Sequence, residues 1–96
     1  MHPDNVAPLA LLRDLATDGL AFVVVGSAAF VLHEPAVARR YVLPDVDVVV
    51  ADLGALRAMV AALSTRGFAL TCWGEPLSTS FEDTVVVGRF YVRGER

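Results

Sequence analysis

Apolar runs alternate with short polar or glycine-containing breaks along this chain, and the spacing inside each run differs. After Asn5, Leu9, Leu12 and Ala16 recur at i, i+3 and i+7 with Leu15 beside them, while Arg13, Asp14 and Asp18 fall on the other side. That period predicts a helix, and Gly19 is placed to end it. Residues 21–25 (AFVVV) are continuously apolar, which suits a strand buried on both faces. The run stops at Gly26-Ser27. Residues 28–33 then have the composition of a short helix, for which Ser27 is the candidate cap. Residues 33–44 hold two Pro and two Arg without a period and read as a loop with room for a helical turn. Residues 46–50 are a second β-prone run, opened by Asp45 and Asp47. Asp52 reads as the N-cap of a helix over 53–66, with Leu53, Leu56, Val60 and Leu63 as its apolar stripe and Gly67 as its end. Residues 68–73 predict a third strand, and residues 74–83 are polar and turn-rich. Residues 84–93 form a last strand region in which Gly88 marks a bulge or bend.

The resulting order, α-β-α-β-α-β-β, predicts an α/β (α+β) domain: a small mixed sheet of about four strands with helices packed on it. A chain of 96 residues has room for one such domain, residues 1–96. Hydrophobic residues make up 55% of it, which excludes a disordered chain. The longest apolar stretch, residues 20–32, is broken by Gly26 and Ser27 and falls short of the ~20 residues that span a bilayer. No membrane partner is expected. So much apolar content in so short a chain instead favours a homodimer or a partner protein.

Charge narrows the picture further. Eight Arg, no Lys and eleven acidic residues give a net charge of −3, the opposite of a general nucleic-acid footprint. A small basic pocket remains open, because Arg39, Arg40, Arg89, Arg93 and Arg96 fall in two short regions. Cys72 is the only cysteine, so neither an intrachain disulfide nor a cysteine-based zinc site is available. The start, Met1-His2-Pro3-Asp4-Asn5, lacks the basic and apolar regions of a signal peptide, and a cytoplasmic location is expected.

Two short motifs carry candidate chemistry. In Asp45-Val46-Asp47 the two-residue repeat of a strand sends both carboxylates to one face and Val46, Val48 and Val50 to the other. Carboxylates held together repel unless a cation or proton intervenes, and a hard, oxygen-seeking divalent ion such as Mg²⁺ answers that need. The plainer reading is a pair of solvated charges at a strand's mouth. Gly26-Ser27 lies where a strand meets a helix. There glycine admits close approach of a ligand, and a helix N-terminus favours phosphate. An ordinary turn followed by a capped helix reads the same way.

Taken together, the two motifs resemble the nucleotidyltransferase fold of the polymerase beta superfamily, in its minimal, abortive-infection-toxin-like bacterial branch. The residues carrying the resemblance are Phe22 to Val25, Gly26-Ser27, Ala29, Leu32-His33, Arg39 or Arg40, and Asp45-Val46-Asp47 with Val48, Val49 and Val50 behind it. The match runs over residues 22–50. It implies that Gly26 and Ser27 bind the triphosphate of a nucleoside triphosphate. Asp45 and Asp47 would be the catalytic, Mg²⁺-holding carboxylates of a site that can take two metals. Arg39 or Arg40 would meet phosphate charge. The reaction implied is transfer of a nucleotidyl group to a hydroxyl on a small molecule, a tRNA end or a protein. That family's third carboxylate has no counterpart within residues 85–92, which leaves Glu82, Asp83 or Glu95 for the role. The competing expectation is a catalytically incomplete protein that keeps this fold for binding or oligomerisation. His33, at the end of an apolar helix, reads as a structural or capping residue, and Cys72 and Trp73 as core.

Overall fold

The computed structural model describes residues 1–72, 75–76 and 93–95, which fall in two units, residues 1–51 and 52–96. Helices and strands both contribute, so the chain is α+β.

The first unit begins with a 3-10 turn, Pro3–Asn5, in which proline occupies the first position and His2 Nδ1 accepts from the Asp4 N–H at 3.1 Å. Helix α1, Val6–Thr17, follows. Leu12 and Leu15 are buried, Leu9 is half-buried and Ala16 is exposed. The buried stripe therefore runs through Leu15 rather than out to Ala16. Gly19 closes the helix with φ +88°, as its position predicts.

Strand β1, Val23–Val25, runs straight into helix α2, Gly26–His33. Glu34 separates α2 from the single turn α3, Pro35–Ala38, where proline again starts the helix and costs no hydrogen bond. An extended strap then leads to strand β2, Asp47–Val49. The two strands pair antiparallel, with Val23 opposite Val49, Val24 opposite Val48 and Val25 opposite Asp47. Ala28, Val31 and Ala38 are buried in this unit.

Two local expectations change here. Ser27 is not the cap of α2: Val25 is the N-cap residue, and no side chain caps the helix. The cause is Gly26, whose φ of +66° turns the chain into the helix one residue earlier and leaves Ser27 within the first turn. Strand β1 is also not buried on both faces. Val23 is 64% exposed, and its cross-strand partner Val49 is 54% exposed on the same side.

In the second unit Asp52 caps helix α4, Leu53–Thr65, its Oδ1 accepting from the Ala55 N–H at 2.7 Å. Val60 and Leu70 form a buried cluster with Leu56, Leu63 and Phe68 packed against it. Gly67, φ +85°, ends the helix. Strand β3, Ala69–Cys72, lies between β4, Glu75–Pro76, and β5, Arg93–Glu95, with both pairings antiparallel. Among the described residues the strands thus form two antiparallel sheets, where the pattern predicts one mixed sheet. A β-α-β order suggests parallel crossovers, but the strap before β2 gives the chain room to reverse and run back along β1. Trp73, Gly74, Arg96 and residues 77–92 lie outside the described residues, and with them Glu82, Asp83, Gly88, Arg89 and nearly all of the last predicted strand.

Candidate functional site

The first unit gathers most of the predicted site residues at the junction of β1, α2 and β2. The register that sets Val25 opposite Asp47 brings the Asp47 side chain beside Gly26. A Cβ built on Gly26 would lie 3.3 Å from Asp47 Oδ2, tighter than ordinary van der Waals contact. The positive φ calls for glycine at this position, and a side chain there would also make the Asp47 carboxylate shift.

Exposure alternates from Asp45 to Val50, with Asp45, Asp47 and Val49 exposed and Val46, Val48 and Val50 half-buried. Strand parity thus holds through the D-x-D even though β2 itself starts at Asp47. Both carboxylates lie on the open side. Among the described residues neither is engaged in a hydrogen bond or ion pair. Ser27 is half-buried in the first turn of α2.

The strap that delivers these carboxylates is pinned from the N-terminus. Asn5 is completely buried, and its Nδ2 donates to the Tyr41 carbonyl at 2.6 Å while its Oδ1 accepts from the Leu43 N–H at 2.8 Å. The His2 N–H donates to the Ala38 carbonyl at 2.6 Å. Nothing in the sequence pattern signals this role for Asn5. A polar residue ahead of a helix reads as a cap, yet its carboxamide makes no cap bond and serves the strap instead.

Arg39 and Arg40 follow the single turn α3. Both are exposed, and they line an open depression of about 510 Å³ with Ala36, Val37 and Tyr41. Neither Gly26, Ser27, Asp45 nor Asp47 borders it. His33 ends α2 and is exposed, and its side chain makes no hydrogen bond among the described residues. Glu95 belongs to β5 in the second unit, paired with Ala69.

The donor chemistry of the corner suits a hard cation: two exposed carboxylates, one of them close beside Gly26. Among the described residues no three His, Cys, Asp or Glu side chains converge as a metal cluster, so a bound ion would draw further ligands from water or from a phosphate. No helix among the described residues is long and apolar enough to cross a membrane. In comparisons with family models, curated proteins and solved structures, nothing matches this chain.

Proposed function

We propose that the β1–α2–β2 corner binds a nucleoside triphosphate together with Mg²⁺ and serves nucleotidyl transfer to a hydroxyl acceptor. The observation carrying this reading is the juxtaposition of Asp47 with Gly26. It sets an unpaired carboxylate against a helix start that no side chain caps. The first-turn N–H groups of an α-helix have no intrahelical partner and favour anions. A free phosphate arriving there would meet the negative charge of Asp47. A free cation arriving at Asp47 would meet the positive end of α2. A magnesium–phosphate ligand satisfies both groups at once, with phosphate on the Gly26 and Ser27 backbone and metal on Asp47 and Asp45.

In that transfer the acceptor hydroxyl oxygen bonds to the α-phosphorus in line, the bond to pyrophosphate breaks and pyrophosphate leaves. The hydroxyl proton goes to solvent. Mg²⁺, when bound, would supply neutralisation of the phosphate charge. Gly26 would admit the phosphates close to the backbone, Ser27 would add a hydroxyl donor, and Asp45 and Asp47 would hold the metal. The acceptor would be a small molecule, a tRNA end or a protein hydroxyl. A second reading is a catalytically incomplete module for binding or oligomerisation. The exposed Val23, Val49, Phe30 and Leu32 favour a homodimer or partner protein under either reading.

The test is a calorimetric or thermal-shift titration with each nucleoside triphosphate, with and without Mg²⁺, on wild type and Asp47→Asn. Mg²⁺-dependent binding in wild type that is lost in the variant is expected. Absence of binding to every nucleotide would overturn the proposal.

A further inference from the structure

We infer that the depression at Arg39, Arg40 and Tyr41 is a second, metal-independent subsite for a phosphate monoester carried on a planar ring, as in a nucleoside monophosphate. Three observations carry it. The guanidinium groups of Arg39 and Arg40 are exposed, line the same depression and have no ion-pair partner among the described residues. Guanidinium groups grip phosphate oxygens in bidentate fashion and keep their charge at any physiological pH. Tyr41, 43% exposed, lines the same depression and brings an aromatic ring to its rim, with the apolar Ala36 and Val37 beside it. The volume, about 510 Å³, lies in the range of small-molecule sites.

The backbone beneath this group is already fixed. The N–H groups of Arg40 and Tyr41 both donate to the Val37 carbonyl, at 3.1 and 2.9 Å. The Tyr41 carbonyl is held by Asn5 and the Ala38 carbonyl by the His2 N–H, each at 2.6 Å. A ligand binding here does not have to order the loop first, which removes a common cost of association.

Charge selects a short ligand over a long polyanion. Within residues 1–51, Asp4, Asp14, Asp18, Glu34, Asp45 and Asp47 outnumber Arg13, Arg39 and Arg40. A strand extending far beyond the two arginines would cross acidic surface. One phosphate with its own base would not. Among the described residues no carboxylate lines the depression, so the phosphate needs no bridging cation there, unlike a ligand at the Gly26–Asp47 corner.

That contrast makes the inference separable from the proposed nucleotidyl transfer. The experiment is a titration of adenosine monophosphate in EDTA, by calorimetry or by chemical shifts, on wild type, Arg39→Ala/Arg40→Ala, Tyr41→Leu and Asp47→Asn. All substituted side chains are exposed, and circular dichroism melts check folding. The expected result is saturable binding in EDTA, unchanged by Asp47→Asn and lost in the double arginine variant. Tyr41→Leu should weaken it about tenfold, the scale of one base–aromatic stack. Adenosine alone should fail to bind, and inorganic phosphate should compete only weakly. A 5′-phosphorylated oligonucleotide that binds no tighter than the monophosphate identifies a single-nucleotide site. One that binds through its terminal phosphate with added affinity identifies a strand end as the source. The inference is overturned if no monophosphate binds, or if binding requires Mg²⁺ or Asp47. It is equally overturned if inorganic phosphate or an acidic peptide binds as tightly, without dependence on Tyr41.

Discussion

Replacing Asn5 with alanine tests whether a single buried carboxamide holds the strap that precedes the two carboxylates. Asn5 is fully buried and spends both ends of its side chain on the strap, donating to the Tyr41 carbonyl and accepting from the Leu43 N–H. Alanine removes two hydrogen bonds, each with a net contribution of about 1 kcal/mol, and leaves two part-buried backbone groups short of partners, which adds a desolvation penalty. The combined loss is about 2–4 kcal/mol. For a domain of this size it corresponds to a fall in Tm of roughly 10–20 °C. Urea denaturation followed by circular dichroism gives the energy directly. The isosteric Asn5→Asp variant sharpens the test. Its carboxylate still accepts from Leu43, but its second oxygen faces the Tyr41 carbonyl and can engage it only when protonated. The folded-state pKa of the new acid is therefore raised above its unfolded value of about 3.9. The unfolded chain then gives up its proton first, so stability relative to wild type is preserved below about pH 4 and declines as pH rises through the folded-state value. A loss under about 0.5 kcal/mol in Asn5→Ala would refute the reasoning, as would a pH-independent deficit in Asn5→Asp.

Two further outcomes follow from the same geometry. Gly26→Ala and Gly19→Ala both force a side chain onto positive φ and should each cost about 1–2 kcal/mol. Only Gly26→Ala also puts a methyl 3.3 Å from Asp47, whereas a Cβ at Gly19 meets nothing within 4 Å. Equal losses of stability with Mg²⁺–nucleotide binding impaired only in Gly26→Ala are therefore expected, and equal effects on binding would count against the corner. Asp52→Ala removes the exposed cap on Ala55 N–H and should destabilise helix α4 by about 1 kcal/mol, measured by denaturant melts.

Periodicity, caps and helix-ending glycines make α1, α4 and β3 legible in the amino-acid order, because each depends on neighbours close along the chain. Asp52 and Gly67 act as their types predict. Ser27 does not, since the positive φ that decides where α2 begins belongs to the residue before it. The pairing of β1 with β2 is illegible for a different reason. Strand direction is set by the strap 39–46, whose course depends on Asn5, a residue more than thirty positions away. Of the candidate site, the D-x-D and glycine motifs foreshadow the Gly26–Asp47 contact. They say nothing of the depression that Arg39 and Arg40 line, because spacing along a loop carries no information about which face it turns to.

The strap explains how residues outside regular structure can still place charge accurately. Asp45 precedes β2, where a loop carboxylate would ordinarily sample many positions. Here the backbone is fixed on both sides of it: at Leu43 by the buried Asn5 carboxamide, and at Asp47 by the register with Val25. Only Pro44 and Val46 lie between Asp45 and those two anchors, and proline restricts its own φ. The entropy of holding Asp45 near Asp47 is thus met at folding, ahead of any cation. The anchors also tie the two proposed subsites together, since the Asn5 side chain that holds Leu43 also holds the carbonyl of Tyr41. Loosening Asn5 should therefore weaken monophosphate binding at Tyr41 and metal-dependent binding at Asp47 in the same variant, whereas Arg39, Arg40 and Asp47 substitutions should each affect one alone.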